Sequence, residues 1–494
     1  MNVATRTTMQ PGAAGATATA TLADYFAHLE LDAVPGPIVE ETKSLILDTL
    51  ACMIAGARTE IGPMVAAQAR LFGAGEEASI AGVPTRFGML GAAYANGRLG
   101  NCLDLDETYP GGTVGGVHVA IAAVAAALAL CEQRRLGGKD FLLATLSGYE
   151  LAGRVADVGT QLIIKDGLLQ GMPPVWGMAL PVVYAAAGAA GKALRLDAQA
   201  FEETIALAGS NVPPPIGPLW AAMLTLPNTK YCDSGWCTLA GLFAAASAAL
   251  GSTGPGPILD GDRSLFRMMG MAKIDPDGLV GELGTRWAIA NVTYKPWPSC
   301  RWHHQAMTAL ADLLEREQLR ADEIESVVVE ANTGFLSPRF RNQNPPNMIA
   351  RQFSFPHAVA MLVAREPAGP GWLSGKRPSD PDIAALRAKV SVEAHPRASA
   401  CVQSFVRDQV RQMPSGVRVK ARGKVFHEER EFALGDPWDA TTRWGFDDVA
   451  RKFRQVTGSP GDVAEAVIQA VSDLEHRADL ESVTAALRVA LKPV

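Results

Sequence analysis

The apolar positions of this chain follow two regimes. From Leu22 to about Gly251 they recur at helical spacing. The segment "PIVEETKSLILDTLACMIAGA" puts Val39, Thr42, Ile46, Leu50 and Met53 near one stripe and closes on a glycine, which predicts a helix with a glycine stop. "KDFLLATLSGYELAGRVADVG" and "GLFAAASAALG" read the same way. Alanine and glycine are abundant in these segments, so their helix axes can approach closely. Near Ala290 the pattern changes. "SVVVEANTGF", "AKVSVEAHP" and "SGVRVKARGKVFHEEREFAL" are β-branched or alternating, and the last predicts a hairpin turning near Gly423. "HQAMTALADLLEREQL", just before the first of these, is helical, and helical spacing returns in "DVAEAVIQAVSDLE". The fold class is therefore mainly α. A large all-helical domain is built from both chain ends, residues 21–290 plus 441–494, and a smaller α+β lid domain, residues 291–440, is inserted. Residues 1–20 are small and polar with no apolar run, and read as a disordered tail instead of a signal peptide.

Composition narrows the function classes. The 494 residues are 48% hydrophobic and 19% charged, ample for a large core in two domains. The net charge is −6 and no long basic run occurs, which argues against a nucleic-acid partner. The seven cysteines have no framework spacing, so free thiols in a reducing, cytoplasmic compartment are expected. "VAIAAVAAALALCEQRR" is marginal in length for a bilayer and rich in alanine, so it reads as a buried soluble helix and no membrane partner is expected.

Four stretches carry candidate chemistry. In "NCLDLDETYPGGTVGGVHVAIAAV" a cluster of acids and a glycine-rich loop precede His118. If the helix before them continues, Asp104 and Thr108 share a face and Asp106 points elsewhere. His118 falls near the start of the next helix, where the positive dipole end favours a neutral imidazole. Asp104 and His118 form a plausible proton-transfer pair; the alternative is an N-cap cluster with a satisfied histidine. Lys230 precedes another Ala-rich helix and could bind an anion with its free N–H groups, or simply face solvent. "KPWPSCRWHHQ" crowds Lys295, Cys300, Arg301, His303 and His304 among tryptophans and prolines. That density of donors suits a carboxylate or phosphate better than a metal, since adjacent histidines rarely share one ion. His357, in "QFSFPHAVAML", opens a helix and by itself reads as core or cap.

Taken in order, "LADYFAHLELDAVPGPIVEETKSLILDTLACMIAGA", "AAYANGRLGNCLDLDET", "GSTGPGPILDGDRSLFRMM", "KPWPSCRWHHQAMTAL" and "QFSFPHAVAML" resemble the MmgE/PrpD family across nearly all of residues 20–485. That family includes 2-methylcitrate dehydratases, cis-aconitate decarboxylases and iminodisuccinate epimerases. The resemblance implies a helical domain with an α+β lid, usually a homodimer, and an active site free of cofactor and metal. Its substrates are small di- and tricarboxylates. Asp104, Thr108, His118, Lys230 and Lys295 match family positions. Three positions depart from the decarboxylases, which carry a histidine where Met172 stands, a lid histidine at Cys300 and a tyrosine at His357. The expected catalytic set is Asp104, His118, Lys230, Lys295, Cys300 and His357. Thr108, Arg301, His303, His304 and Met172 are expected to bind substrate. The expected activity is a lyase, dehydratase or decarboxylase, working by general acid–base chemistry. The alternatives are an epimerase with two opposed bases, Cys300 or His357 facing His118 or Lys230, and an inactive carboxylate-binding protein.

Overall fold

A computed structural model describes residues 16–111, 116–160, 163–166, 168–171, 176–271, 273–398, 405–406, 409–489 and 493–494. Met172, most of the expected N-terminal tail and residues 112–115 of the glycine-rich loop lie outside the described residues. The first helix already begins inside the stretch expected as tail, where Thr17 caps it by accepting from the Ala20 amide.

The protein is mainly helical. The first regime gives α1 (Ala18–His28), α2 (Gly36–Ala57), α3 (Met89–Asn101), α4 (Ala120–Arg134), α5 (Gly138–Asp157), α6 (Ala179–Ala193), α7 (Ala198–Ser210) and α8 (Ser234–Ala249). Helix α6 is the hub, packing against α4, α5 and α8. Every residue of α6 except Lys192 is buried, as expected of a helix that is apolar all round. Helix α2 is buried continuously from Thr42 to Gly56, so its core face is wider than the single stripe read from the sequence. Gly56 lies inside α2 and is not its stop. A methyl group there would stand 2.0 Å from the Leu99 carbonyl oxygen, so glycine is required for α2 and α3 to cross this closely.

Among the described residues the helical region also carries three short antiparallel pairs, including Ala78–Ser79 with Arg86–Phe87 and Gly159–Thr160 with Lys273–Ile274. Pairs this short leave no periodic signature. Among the described residues no helix is long and apolar enough to cross a membrane.

The second regime forms a four-stranded sheet, β1 (Ile324–Ala331), β2 (Val390–Ala394), β3 (Ser415–Ala421) and β4 (Lys424–Arg430), in the order β4-β3-β1-β2. β1 and β2 are parallel, and the chain between them includes the helix α10 (Phe355–Val363). β3 and β4 form the hairpin. Arg422 and Gly423 turn it with φ of 53° and 70°, the two positive values a type I′ turn needs. Val327, Val329, Val417 and Val419 are buried in the sheet, and α9 (His304–Arg316) packs on β3 and β4. Beyond the sheet, α11 (Phe446–Thr457) and α12 (Gly461–Ser472) pack on α2. The Lys452 ammonium of α11 donates to Asp48 of α2 and to the Leu105 carbonyl at 2.6 and 2.7 Å. That buried pair ties the end of the chain to the loop carrying Asp104.

Candidate active site

Helix α3 stops at Asn101, and the chain does not stay helical through the acids. Asp104 has φ of 53°, a left-handed conformation that aspartate tolerates better than most residues. The turn separates three acids that helical spacing would have mixed. Thr108 still reaches the same cleft as Asp104, but through a β-bridge to Thr293, not through a shared helix face.

Each acid has its own partners. The Asp104 carboxylate accepts from the ammonium groups of Lys230 at 2.9 Å and Lys295 at 2.8 Å. Lys295 also donates to the Asp104 carbonyl at 3.0 Å, which holds the strained turn. Asp106 lies 3.2 Å from His118 Nδ1 and accepts from the Asn101 amide at 3.0 Å. Glu107 accepts from the Val119 and Ala120 amides and so caps α4. The N-cap reading therefore holds for Glu107, while Asp104 and Asp106 serve the histidine.

His118 Nδ1 faces two acceptors, the Glu107 carbonyl at 2.9 Å and Asp106. It must therefore hold a hydrogen, which leaves Nε2 as the basic nitrogen. Asp104 Oδ1 lies 3.3 Å from Nε2, close enough for its charge to stabilise a protonated ring.

The charges act on one another. Burial raises the Asp104 carboxyl, but Lys230, Lys295 and His118 outweigh it and hold it well below the usual carboxylate range. Burial also raises Asp106, yet His118 and the lysines bring it down to about 2. Burial lowers the Lys230 ammonium, and Asp104 and Asp106 more than restore it. Burial together with the two lysines lowers His118, against the pull of Asp106. Its imidazole therefore stays neutral to a lower pH than an ordinary histidine. If His118 is the base, the acid limb of the kcat/KM profile should lie below the ordinary histidine value of 6.5. A pH profile with its acid limb at or above pH 6.5 would contradict that assignment.

The opposite wall comes from the loops around α9 and β1. Cys300, Arg301, Trp302 and Arg339 line the cleft with Asp104, Thr108 and His118. Arg301 is held by Asp436, a buried carboxylate. Three buried donor atoms on these walls lack partners among the described residues: Thr108 Oγ1, Arg301 Nη1 and Arg339 Nε. Buried polar atoms are rarely left unpaired except where a ligand or water completes them.

Several expected residues stand elsewhere. Lys230 does not join the α8 amides, because Asp233 already caps that helix by accepting from Gly235 and Trp236. His303 is packed 4.0 Å from the Phe355 ring, and burial pushes its pKa down to about 3. His304 Nε2 faces the Ser299 hydroxyl at 3.2 Å. His357 donates from Nε2 to the Trp372 carbonyl at 2.7 Å, is buried, and is also lowered to about 3. None of these three histidines lines the cleft. Cys300 does, but burial pushes its thiol up to about 12, so it stands protonated at neutral pH and is poorly suited to act as a base.

Sequence reasoning missed Asp106, Asp436 and Arg339. Asp106 was set aside by the helical extrapolation. Asp436 and Arg339 sit alone in loops with no pattern around them. Ligand atoms of Asp104, Asp106 and His118 lie within 4.8 Å of one another, a spacing a metal ion could use. Two ammonium groups already occupy Asp104, however, and they repel a cation.

These features define a helix-rich protein with a buried acid–lysine–histidine centre facing two guanidinium groups. Residues 20–275 match the MmgE/PrpD N-terminal domain and residues 297–476 the MmgE/PrpD C-terminal domain. The chain belongs to the MmgE/PrpD family. It is 24% identical to the human cis-aconitate decarboxylase over 463 residues, 91% of this chain and 90% of that protein. The mouse cis-aconitate decarboxylase is 24% identical over 473 residues, 93% and 91% of the two chains. The cis-aconitate decarboxylase-like protein oryM of Aspergillus oryzae is 25% identical over 289 residues, 56% of this chain and 57% of that protein.

Proposed function

We propose that the protein is a lyase acting on a small carboxylic acid by general acid–base chemistry, with His118 as the proton-transfer group. The convergence of His118 with the unpartnered Thr108, Arg301 and Arg339 donors carries this reading. The arginines hold the substrate carboxylate and stabilise negative charge that builds on it. His118 Nε2 takes the proton from the carbon beside that carboxylate. In a dehydration the C–H electron pair forms the C=C bond as the neighbouring C–O bond breaks. The imidazolium then returns its proton to the departing hydroxide, giving water. In a decarboxylation no C–H proton is removed: the C–C bond to the leaving CO₂ breaks, its electron pair stays on the carbon, and the ring, having first taken a proton from solvent, delivers it there. Asp104 and Asp106 stabilise the imidazolium in either case. No step calls for a cofactor. An epimerase would need a second base, and the Cys300 thiol and the engaged His357 argue against one. Residues 291–440 act as the lid that brings Lys295, Arg301 and Arg339 over the helical body.

The test is hydrogen exchange. Small carboxylic acids incubated with the protein in D₂O and followed by NMR should include one whose carbon-bound hydrogen exchanges or is eliminated. Binding without exchange or turnover across the panel would favour an inactive scaffold.

We also infer a homodimer. Trp236, Phe243 and Leu250 are exposed at intervals of seven along α8 and its end, a spacing that keeps them on one face. Leu219, Met223 and Leu224 are exposed on the preceding segment. Apolar surface of this extent marks an interface. Sedimentation velocity should show a dimer at micromolar concentration, and Trp236→Glu with Phe243→Glu should convert it to monomer. A monomeric parent protein would refute this.

A further inference from the structure

The cleft beside His118 is aromatic to an unusual degree. Trp302 stacks on Phe335 with centroids 4.6 Å apart and planes 20° from parallel. Trp220 meets Tyr231 and Phe353 edge-on at 5.2 and 4.9 Å. All five rings line the same narrow space as Asp104 and His118. Such rings offer a flat apolar surface that hydroxyl-rich or multiply charged acids do not use.

The charge balance points the same way. Lys230, Lys295, Arg301 and Arg339 bring four cations to the cleft and its immediate support. Asp104 neutralises part of the lysine charge, Asp106 lies beside the same centre, and Asp436 holds Arg301. Burial holds the Glu107 carboxyl well above the usual carboxylate range and so uncharged, and the remaining three carboxylates against four cations leave a net charge of one. Arg339 is the cation without an acidic partner among the described residues; it donates to the Ala221 carbonyl, and its guanidinium lies over the Phe340 ring at 4.7 Å and the Trp220 ring at 5.8 Å. One carboxylate on Arg339 balances the site. Each further carboxylate would be buried without a counter-charge, which is costly away from water.

We propose that the substrate is a monocarboxylic acid with a flat unsaturated or aromatic body, anchored by its carboxylate on Arg339 and by its body between the aromatic walls. This deepens the acid–base reading above and rests on the same cleft. It departs from the di- or tricarboxylate expected from sequence.

Binding to the full chain by isothermal titration, with three probes, tests it. Cinnamate is a flat aryl monocarboxylate, crotonate is the same acid with a methyl group in place of the ring, and tricarballylate carries three carboxylates without a ring. Cinnamate should bind at least about tenfold more tightly than crotonate, on the scale of burying one ring against aromatic partners, and tricarballylate should bind most weakly. Trp302→Leu should reduce the cinnamate preference to within about threefold, while Arg339→Gln should weaken cinnamate and crotonate alike. Equal binding of cinnamate and crotonate, tightest binding of tricarballylate, or no binding of cinnamate by the unaltered protein would each overturn the proposal. Turnover of a short polyacid with no cinnamate binding overturns this ligand class and leaves the acid–base reading standing. Cinnamate binding in the expected order, with no turnover of any aryl acid, supports the ligand class and removes the acid–base reading.

Discussion

Replacing His118 by alanine is expected to lower turnover by about 10²-fold or more, the scale on which a positioned acid–base group contributes. The ring sits in a pre-formed setting. Asp106 and the Glu107 carbonyl fix the Nδ1 hydrogen, and Asp104 faces Nε2. Alanine removes the proton carrier and leaves those partners in place. The loss should fall mainly on kcat, because the substrate carboxylate is held by the arginines. Lys230→Met should lower turnover on a similar scale by a different route. Asp104 would lose one of its two ammonium partners, and its charge would no longer be matched opposite His118. Lys230 is buried against Asp104, so the melting temperature should fall as well, unlike a surface lysine. Full activity of the His118→Ala, Lys230→Met double variant would sink the site assignment.

Lys452→Met should produce the largest stability loss, about 3–5 kcal/mol, the range found when one member of a buried ion pair is removed. The Asp48 carboxylate would be left fully buried with no counter-ion, and its Oδ2 already lacks a partner. The Leu105 carbonyl would lose its donor too. Denaturant melts of Lys452→Met and of Asp48→Leu, Lys452→Met should separate the causes. Removing both charges should recover most of the loss, because the penalty comes from the stranded carboxylate. A Lys452→Met variant as stable as the parent would show that the pair does not hold the C-terminal helices to α2. Reduced turnover in the double variant would trace to Leu105, which lies between Asp104 and Asp106.

Much of the fold was legible because it is local. Ala-rich helical spacing marks α4, α5 and α8, alternation marks β1 to β4, and Arg422-Gly423 supplies the turn that β3 and β4 need. The ends were less legible. Gly56 looked like a helix stop, and its role emerged only when α3 was seen crossing α2 at that point. The short strand pairs left no pattern to read.

The site divides along the same line. The sequence by itself determined the succession of sheet strands after the helical stretch, the family, and a set of ionisable residues unusual for such an apolar chain. Tertiary structure decided which of them meet. Lys230 and Lys295 reach Asp104 across separations of 126 and 191 residues, and no local periodicity encodes a contact of that range. The left-handed turn at Asp104 sent Asp106 toward His118 and Glu107 toward the α4 amides, against the helical extrapolation. His303, His304 and His357 carried the same chemistry on paper, but packing buried them among aromatic rings and backbone carbonyls. A side chain's chemistry is fixed by its identity, but its role depends on the neighbours and the dielectric around it, and those exist only once distant segments have packed together.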